Sequence, residues 1–263
     1  MLSVYVNGIG LLGPGIANWA AGAQILQGEL SWVNTPTVLP SPEGLPPAER
    51  RRTGPLVKLT LAAGLEASRQ AQVDPARLAS VFTSSGGDGH NCHEICEALA
   101  SPERLISPTR FHNSVHNAPA GYWSIATGAT AAGNALCAHD GSFAAGLLEA
   151  VTQVLIERVP VLLVSYDIGY PEPIRAVRPI PDAFAVALAL AADEGPANLA
   201  RIEAHLSDGN AATMDEPLER LRRSIPAARS LPLLALLARR AAGTVVLDYL
   251  PHTRLAVEVN PWP

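Results

Sequence analysis

Apolar and polar side chains alternate from Leu2 to Ile9, the period-2 signature of a strand, and the glycines around Gly8–Gly15 then read as a turn. Ala17–Leu26 reads as a short helix. Residues 31–49 hold Pro36, Pro40, Pro42, Pro46 and Pro47, so a loop with little regular structure is expected there. Leu56, Leu59, Ala63, Ala67 and Ala71 fall at helical spacing, with Lys58, Glu66 and Arg69 on the other face, which predicts a helix over Leu56–Ala71. Leu78–Ser84 is a short apolar run of the buried-strand type. Ser85-Gly-Gly-Asp-Gly turns it into a helix over His93–Ala100, and Ser101-Pro begins another turn.

The alanines and glycines from Gly121 to Gly133 predict a closely packed helix of small residues. Asn134–Ala138 is expected as a buried strand that ends in a sharp corner. Ser142–Glu157 is a helix with Ala144, Leu147, Leu148, Val151 and Leu155 on one face. Val159–Tyr166 and Phe184–Ala191 are strands, joined through Pro171, Pro173, Pro179 and Pro181. Beyond residue 195 the pattern is looser. An extended stretch is expected near Leu199–Leu206, helices near Glu216–Ser224 and Pro232–Ala242, and strands near Val245–Tyr249 and Arg254–Val259. Strands alternating with helices predict an α/β fold, with a mostly parallel sheet covered by helices on both faces. The organisation expected is a domain over 1–195, with 196–263 as a C-terminal extension packed on it.

Composition sharpens this picture. Of the 263 residues 48% are hydrophobic and only 16% charged, below the usual quarter. Such a chain is expected to bury extra surface in a thick core or against a partner. The net charge is −5 and no basic stripe is present, which excludes a nucleic-acid backbone as the target. The apolar N-terminus has no Lys or Arg before Arg50, whereas a secretory signal opens with positive charge. The longest apolar run, Ala183–Ala192, is about half the ~20 residues that span a bilayer. A cytoplasmic chain without a membrane span is expected. Three cysteines, an odd number, make no disulfide framework.

Ser107–Ala150 reads as loop, helix, turn, strand, corner and helix, and a strand-to-helix corner is where α/β proteins place nucleophiles. Several strings in it are similar to the N-terminal half of β-ketoacyl synthases, over roughly residues 1–195. They are Asn117-Ala-Pro-Ala-Gly, Ser124-Ile-Ala-Thr-Gly, the corner with its helix, and the strand Ala183–Ala192. His112-Asn-Ser-Val-His-Asn and Asp140-Gly-Ser-Phe-Ala-Ala-Gly-Leu-Leu-Glu-Ala resemble, more narrowly, the short ketosynthase-like chain-length factors of aryl-polyene and xanthomonadin-type pigment clusters. The resemblance implies a thiolase-like fold. It also implies a corner cysteine made nucleophilic by the following helix N-terminus, with two histidines from a C-terminal half and a backbone oxyanion hole.

The chain departs from that pattern in two places. His205 and His252 lack the Gly-rich context of the family's catalytic histidines, and the chain is too short for a second half. Aligning the helix on Phe143 places the nucleophile position at His139 or Asp140, so Cys137 falls two or three residues early, inside the strand, as a small buried residue. His139, Asp140, Gly141 and Ser142 then form a vestigial corner with no catalytic residue.

The resemblance therefore implies a catalytically incomplete subunit, not active alone, that pairs with an active β-ketoacyl-[acyl carrier protein] synthase in polyene, polyketide or fatty-acid-like biosynthesis. His112, Asn113, His116, Asn117 and Tyr122 would line the interface or acyl tunnel. The acyl carrier protein would bring its own phosphopantetheine, and the subunit would need no cofactor. One alternative is a small acyltransferase or thioesterase using Cys137 with His139 or His116. Another is a ketosynthase-like homodimer that binds acyl chains.

Other clusters have plainer readings. His90, Cys92, His93 and Cys96 are zinc-type ligands, but their pairs overlap, and a capped helix start with two buried cysteines is preferred to metal. His112 and His116 would share a face if helical. Gly86-Gly-Asp-Gly lacks the lysine of a phosphate loop and reads as a tight turn. Ser142 lacks the second glycine of a hydrolase elbow. Arg220, Arg222 and Arg223 read as a solvated helix face, with docking of an acidic carrier protein as the weaker option.

Overall fold

The computed structural model describes residues 2–263. In chain order the elements are β1 (Leu2–Leu12), α1 (Trp19–Gln27), α2 (Pro47–Arg50), α3 (Pro55–Gln70), β2 (Ala79–Thr83), α4 (Gly89–Ala100), α5 (Pro108–Asn113), α6 (Ala118–Thr127) and β3 (Gly133–Leu136). There follow α7 (Ser142–Glu157), β4 (Val161–Asp167), α8 (Ile174–Val177), β5 (Phe184–Ala191), β6 (Ala200–Ser207), α9 (Leu218–Ser224), α10 (Leu231–Arg239), β7 (Gly243–Leu250) and β8 (Thr253–Pro261). All eight strands form one sheet in the order β3-β2-β4-β5-β1-β6-β8-β7.

The expectation of a mostly parallel sheet is corrected. Only β2 pairs in parallel, with β3 and β4, and the five ladders from β4 to β7 are antiparallel. Helices nonetheless cover both faces. Strands buried on both faces read as continuous apolar runs whatever their direction. β4 is buried along its whole length and sends Val161 and Leu163 to one core and Leu162, Val164 and Tyr166 to the other.

β5 divides in the same way. Phe184, Val186, Leu188 and Leu190 face the core shared with α1, α7 and α10, while Ala185, Ala187 and Ala189 face α3. The small alanines let α3 lie close to the sheet. β1 takes this further, running to Leu12, so that Gly10, expected in the turn, is a strand residue like Gly8. A Cβ on Gly8 would sit 2.1 Å from the Ala67 carbonyl oxygen of α3, and one on Gly10 would sit 1.9 Å from that of Ala63. Glycine in a strand marks such a close backbone approach. Glu66 and Gln70 of α3 reach back to β1, accepting hydrogen bonds from Leu11 N at 2.9 Å and Ile9 N at 2.6 Å.

α6 is shorter and more open than the small-residue helix expected. It ends at Thr127 and buries chiefly Tyr122 and Trp123, leaving Gly121 and Ser124 exposed. β3 is an exposed sheet edge, not a buried strand. No helix among the described residues is long and apolar enough to cross a membrane. Gly10→Ala is expected to lower stability by about 3 kcal/mol or more, since neither the strand nor the α3 backbone can move aside. Denaturant unfolding of the variant measures this.

Candidate functional site

The corner is built at the end of the parallel strands. β3 stops at Leu136, Cys137 and Ala138 follow, and a 3-10 turn over His139–Gly141 leads into α7. His139 has φ +50°, the left-handed region that a residue with a Cβ rarely adopts. Ser142 Oγ holds the turn, accepting a hydrogen bond from Ala138 N at 3.0 Å and donating one to the His139 carbonyl at 2.7 Å. Thr83 at the end of β2 donates to the Ser142 carbonyl at 2.9 Å. Gly141 lies under β7, where a Cβ would meet the Tyr249 carbonyl oxygen at 2.1 Å. The last residues of β7 therefore press on the corner.

Asp140 is clamped. Arg178 Nη2 lies 2.7 Å from its Oδ1 and Arg229 Nη2 lies 3.0 Å from its Oδ2. Arg178 Nη1 also reaches His139 Nε2 at 2.8 Å, and His139 Nδ1 is 3.6 Å from Asp140. Partial burial alone would raise the Asp140 carboxyl. The hydrogen bond from Arg178 and the charges of Arg229, Arg178 and His139 outweigh it and hold the group below the usual carboxylate range. Arg229 continues to Asp248 of β7 at 3.2 Å, and Asp248 takes Arg222 of α9 at 3.1 Å. Arg222 is also bound by Glu219 at 2.7 Å, and its guanidinium pulls the Glu219 carboxyl down to about 2. Arg222 is thus buried in an ion-pair chain and not on the expected solvated face, whereas Arg220 and Arg223 are exposed.

Cys137 is exposed and lies past the strand, contrary to the expectation of a buried strand residue. The β2–β3 ladder ends at Thr83 and Leu136, and an edge strand has no second neighbour to bury the residues past its end. The Cys137 Sγ donates to the Ser85 carbonyl at 3.2 Å. The His139 ring is taken by Arg178, and among the described residues no thiol–imidazole hydrogen bond is formed.

Three of the residues expected at an interface or tunnel meet directly. Tyr122 OH donates to Asn113 Oδ1 at 3.0 Å, and His112 stands edge-on to Tyr122 at 6.3 Å between ring centroids. Asn113 Nδ2 donates to the Arg52 carbonyl at 2.9 Å. α5 ends at Asn113, so His116 does not share a helix face with His112. His116 instead lies over Gly87, and Asn117 heads α6 without a side-chain cap bond.

The Gly86–Gly89 turn is shaped by Tyr170, whose hydroxyl a Cβ on Gly86 would meet at 1.9 Å and whose ring one on Gly89 would meet at 2.2 Å. Cys92 and Cys96 lie one turn apart on α4, and both are exposed, not buried as expected. His93 pairs with Glu97 at 3.3 Å. Among the described residues no group of three or more His, Cys, Asp or Glu side chains could hold a metal ion.

Sequence patterns missed Asp167. Fully buried at the end of β4, it accepts from Ser85 N at 2.9 Å, Ser85 Oγ at 2.6 Å and Ser84 Oγ at 3.3 Å on one oxygen, and from Ala227 N at 2.8 Å on the other. It ties the strand end to the glycine turn and to the segment before α10. Only its position, an acid closing an apolar run, could have marked it. Also missed were the exposed apolar side chains Leu105, Phe111, Val115 and Ile125, 76%, 67%, 54% and 47% exposed, on the segments between α4 and β3.

Fold and corner together define a thiolase-like α/β protein. The family model for the β-ketoacyl synthase N-terminal domain matches residues 19–246, and the chain belongs to that family. Among solved structures it is similar to a chain of the ketosynthase (ApeO) in complex with its chain length factor (ApeC) from Xenorhabdus doucetiae. The identity is 24% and the TM-score 0.74, covering 98% of this chain and 100% of the other. It is also similar to a chain of AntDE:AntF, a type II PKS acyl-carrier protein in complex with its ketosynthase, at 12% identity and TM-score 0.77, covering 99% of each. Against the ketosynthase from module 1 of the bacillaene synthase of Bacillus amyloliquefaciens FZB42, at 13% identity and TM-score 0.60, 82% of this chain covers 48% of that one. No curated protein matches the chain.

Burial pushes the Asp167 carboxyl up to about 6, against four hydrogen bonds that pull it down. The folded chain therefore holds a proton that the unfolded chain releases near pH 4. Asp167 is expected to make stability fall by up to about 3 kcal/mol as pH rises from ~4 to ~6. Thermal melts across that range should show the slope flattened in Asp167→Asn, whatever the variant's absolute stability.

Proposed function

We propose that the chain is a catalytically incomplete ketosynthase-like subunit, a chain-length factor, that pairs with an active β-ketoacyl-[acyl carrier protein] synthase and shapes its acyl tunnel. The observation that carries this reading is the corner itself, where Asp140, which with His139 aligns to the nucleophile position, is clamped by two arginines beside an open sheet edge. A carboxylate held by two arginines is no acyl acceptor, and Tyr249 crowds the backbone where an acyl group would enter. An unpaired strand edge, and exposed apolar side chains on the segments between α4 and β3, favour association with another chain.

Lengths support the same reading. The chain is co-extensive with a chain of the ApeO–ApeC complex but spans about half of the bacillaene ketosynthase. The partner would supply the cysteine and both histidines, and its substrates would be acyl and malonyl chains carried by an acyl carrier protein. The narrower placement in aryl-polyene or related pigment biosynthesis rests on the two strings beginning at His112 and Asp140. A second reading, an acyltransferase using Cys137, is favoured by the exposure of that thiol.

Co-expression with a β-ketoacyl-[acyl carrier protein] synthase from the same genome is expected to yield a stable heterodimer. Phe111→Glu with Ile125→Asp should abolish co-purification while leaving the melting temperature of the free chain within about 2 °C, because both side chains are exposed. A chain that stays monomeric beside that ketosynthase would overturn the proposal. Cys137→Ala should leave product formation by the pair unchanged, and its loss with pairing intact would favour the acyltransferase.

A further inference from the structure

We propose that Cys92 and Cys96 of α4 together hold one soft monovalent metal ion, of the copper(I) type, between two thiolates. The two thiols lie one turn apart on one face of the helix, and both are free and exposed. Side chains four residues apart on a helix carry their Cβ atoms about 5–6 Å apart. A disulfide asks for about 3.8 Å, so the pair does not close on itself while α4 stays helical. A metal ion placed between the two sulfurs lengthens the bridge by a bond and fits the helix as it stands.

The surroundings select the kind of ion. Among the described residues no third His, Cys, Asp or Glu joins the pair, which leaves zinc two donors short of its tetrahedral set. The nearest other donors on the helix are engaged elsewhere, His93 with Glu97 at 3.3 Å and Glu94 with Arg110 at 3.2 Å. Copper(I) is a closed-shell soft ion that prefers thiolates and is satisfied by two in line. Ile95 and Leu99 share the face with the thiols, an apolar setting that disfavours a hard, hydrated ion. Partial withdrawal from water, the neighbouring Cys96 and the Asp88 carboxylate at the helix start hold the Cys92 thiol above its ordinary value. A thiol kept protonated is a poor target for oxidants, while the same negative field draws a metal cation. Binding joins copper(I) to both sulfurs and releases two protons, leaving a bis-thiolate complex of charge −1 with no change of oxidation state.

The site uses no residue of the corner and does not depend on the pairing proposed above. Anaerobic titration of the full, reduced chain with copper(I) buffered by bicinchoninate tests it. One ion per chain is expected, with two protons released per ion and no change of apparent size on gel filtration. Cys92→Ser and Cys96→Ser should each abolish this stoichiometric binding, and Cys137→Ser should leave it intact. Zinc(II) should bind the reduced chain at least about a hundredfold more weakly. All three cysteines are exposed, so each variant should keep the circular dichroism and melting temperature of the parent. No saturable binding, binding that survives either α4 variant, or one ion shared between two chains would overturn the inference.

Discussion

Asp140 carries a charge into the one place where three distant parts of the chain meet. Arg178 arrives from the loop after α8, and Arg229 arrives from the segment before α10, 89 residues along the chain. Both guanidinium groups are largely withdrawn from water, so leaving either unpaired is costly. Removing one member of such a partly buried set costs more than any single pair contributes, because the remaining charges are stranded. Through Arg229 and Asp248 the clamp reaches β7, and through Arg222 it reaches α9. Residues 196–263 are therefore bound to the corner by charge as well as by the β1–β6 ladder.

The clamp works only because the sheet beneath it is rigid. α3 lies with its backbone almost on β1, a distance that Gly8 and Gly10 permit and no other residue would. The alanine face of β5 continues the same flat bed. On the opposite face larger side chains fill the space under α7 and α10, so α7 is held at a fixed height above the strand ends. Asp167 fastens those ends to the Ser84–Ser85 turn and to Ala227. The corner is thus fixed from below by packing, from the side by a buried carboxylate and from above by ion pairs.

Much of this was legible in the residues. α7 spans Ser142–Glu157 and β5 spans Phe184–Ala191 as periodicity predicts, because one long amphipathic stripe and one long apolar run leave no competing element. The glycines of β1 misled because a turn and a close helix crossing ask for the same residue, and only the position of α3 decides between them. Strand direction was illegible for a similar reason, since β4 and β5 bury both faces and look alike parallel or antiparallel. The exposure of Cys137 depends on β3 being an edge, which is a fact of topology. Counting back from Phe143 pointed to His139 or Asp140, but Arg178, Arg229 and Asp248 lie too far off in sequence for any local pattern to join them to Asp140.

A clamped corner and an open edge have linked consequences. An acyl nucleophile needs an approach to the α7 N-terminus that is free of protein, together with amide groups left for the developing oxyanion. Here β7 occupies that approach at Gly141, and Ser142 uses its own hydroxyl to cap the turn. The corner follows directly on β3, whose outer side is an unpaired sheet edge. The contacts that hold the Gly141 backbone under β7 therefore lie next to the one strand of the parallel part that has no second neighbour.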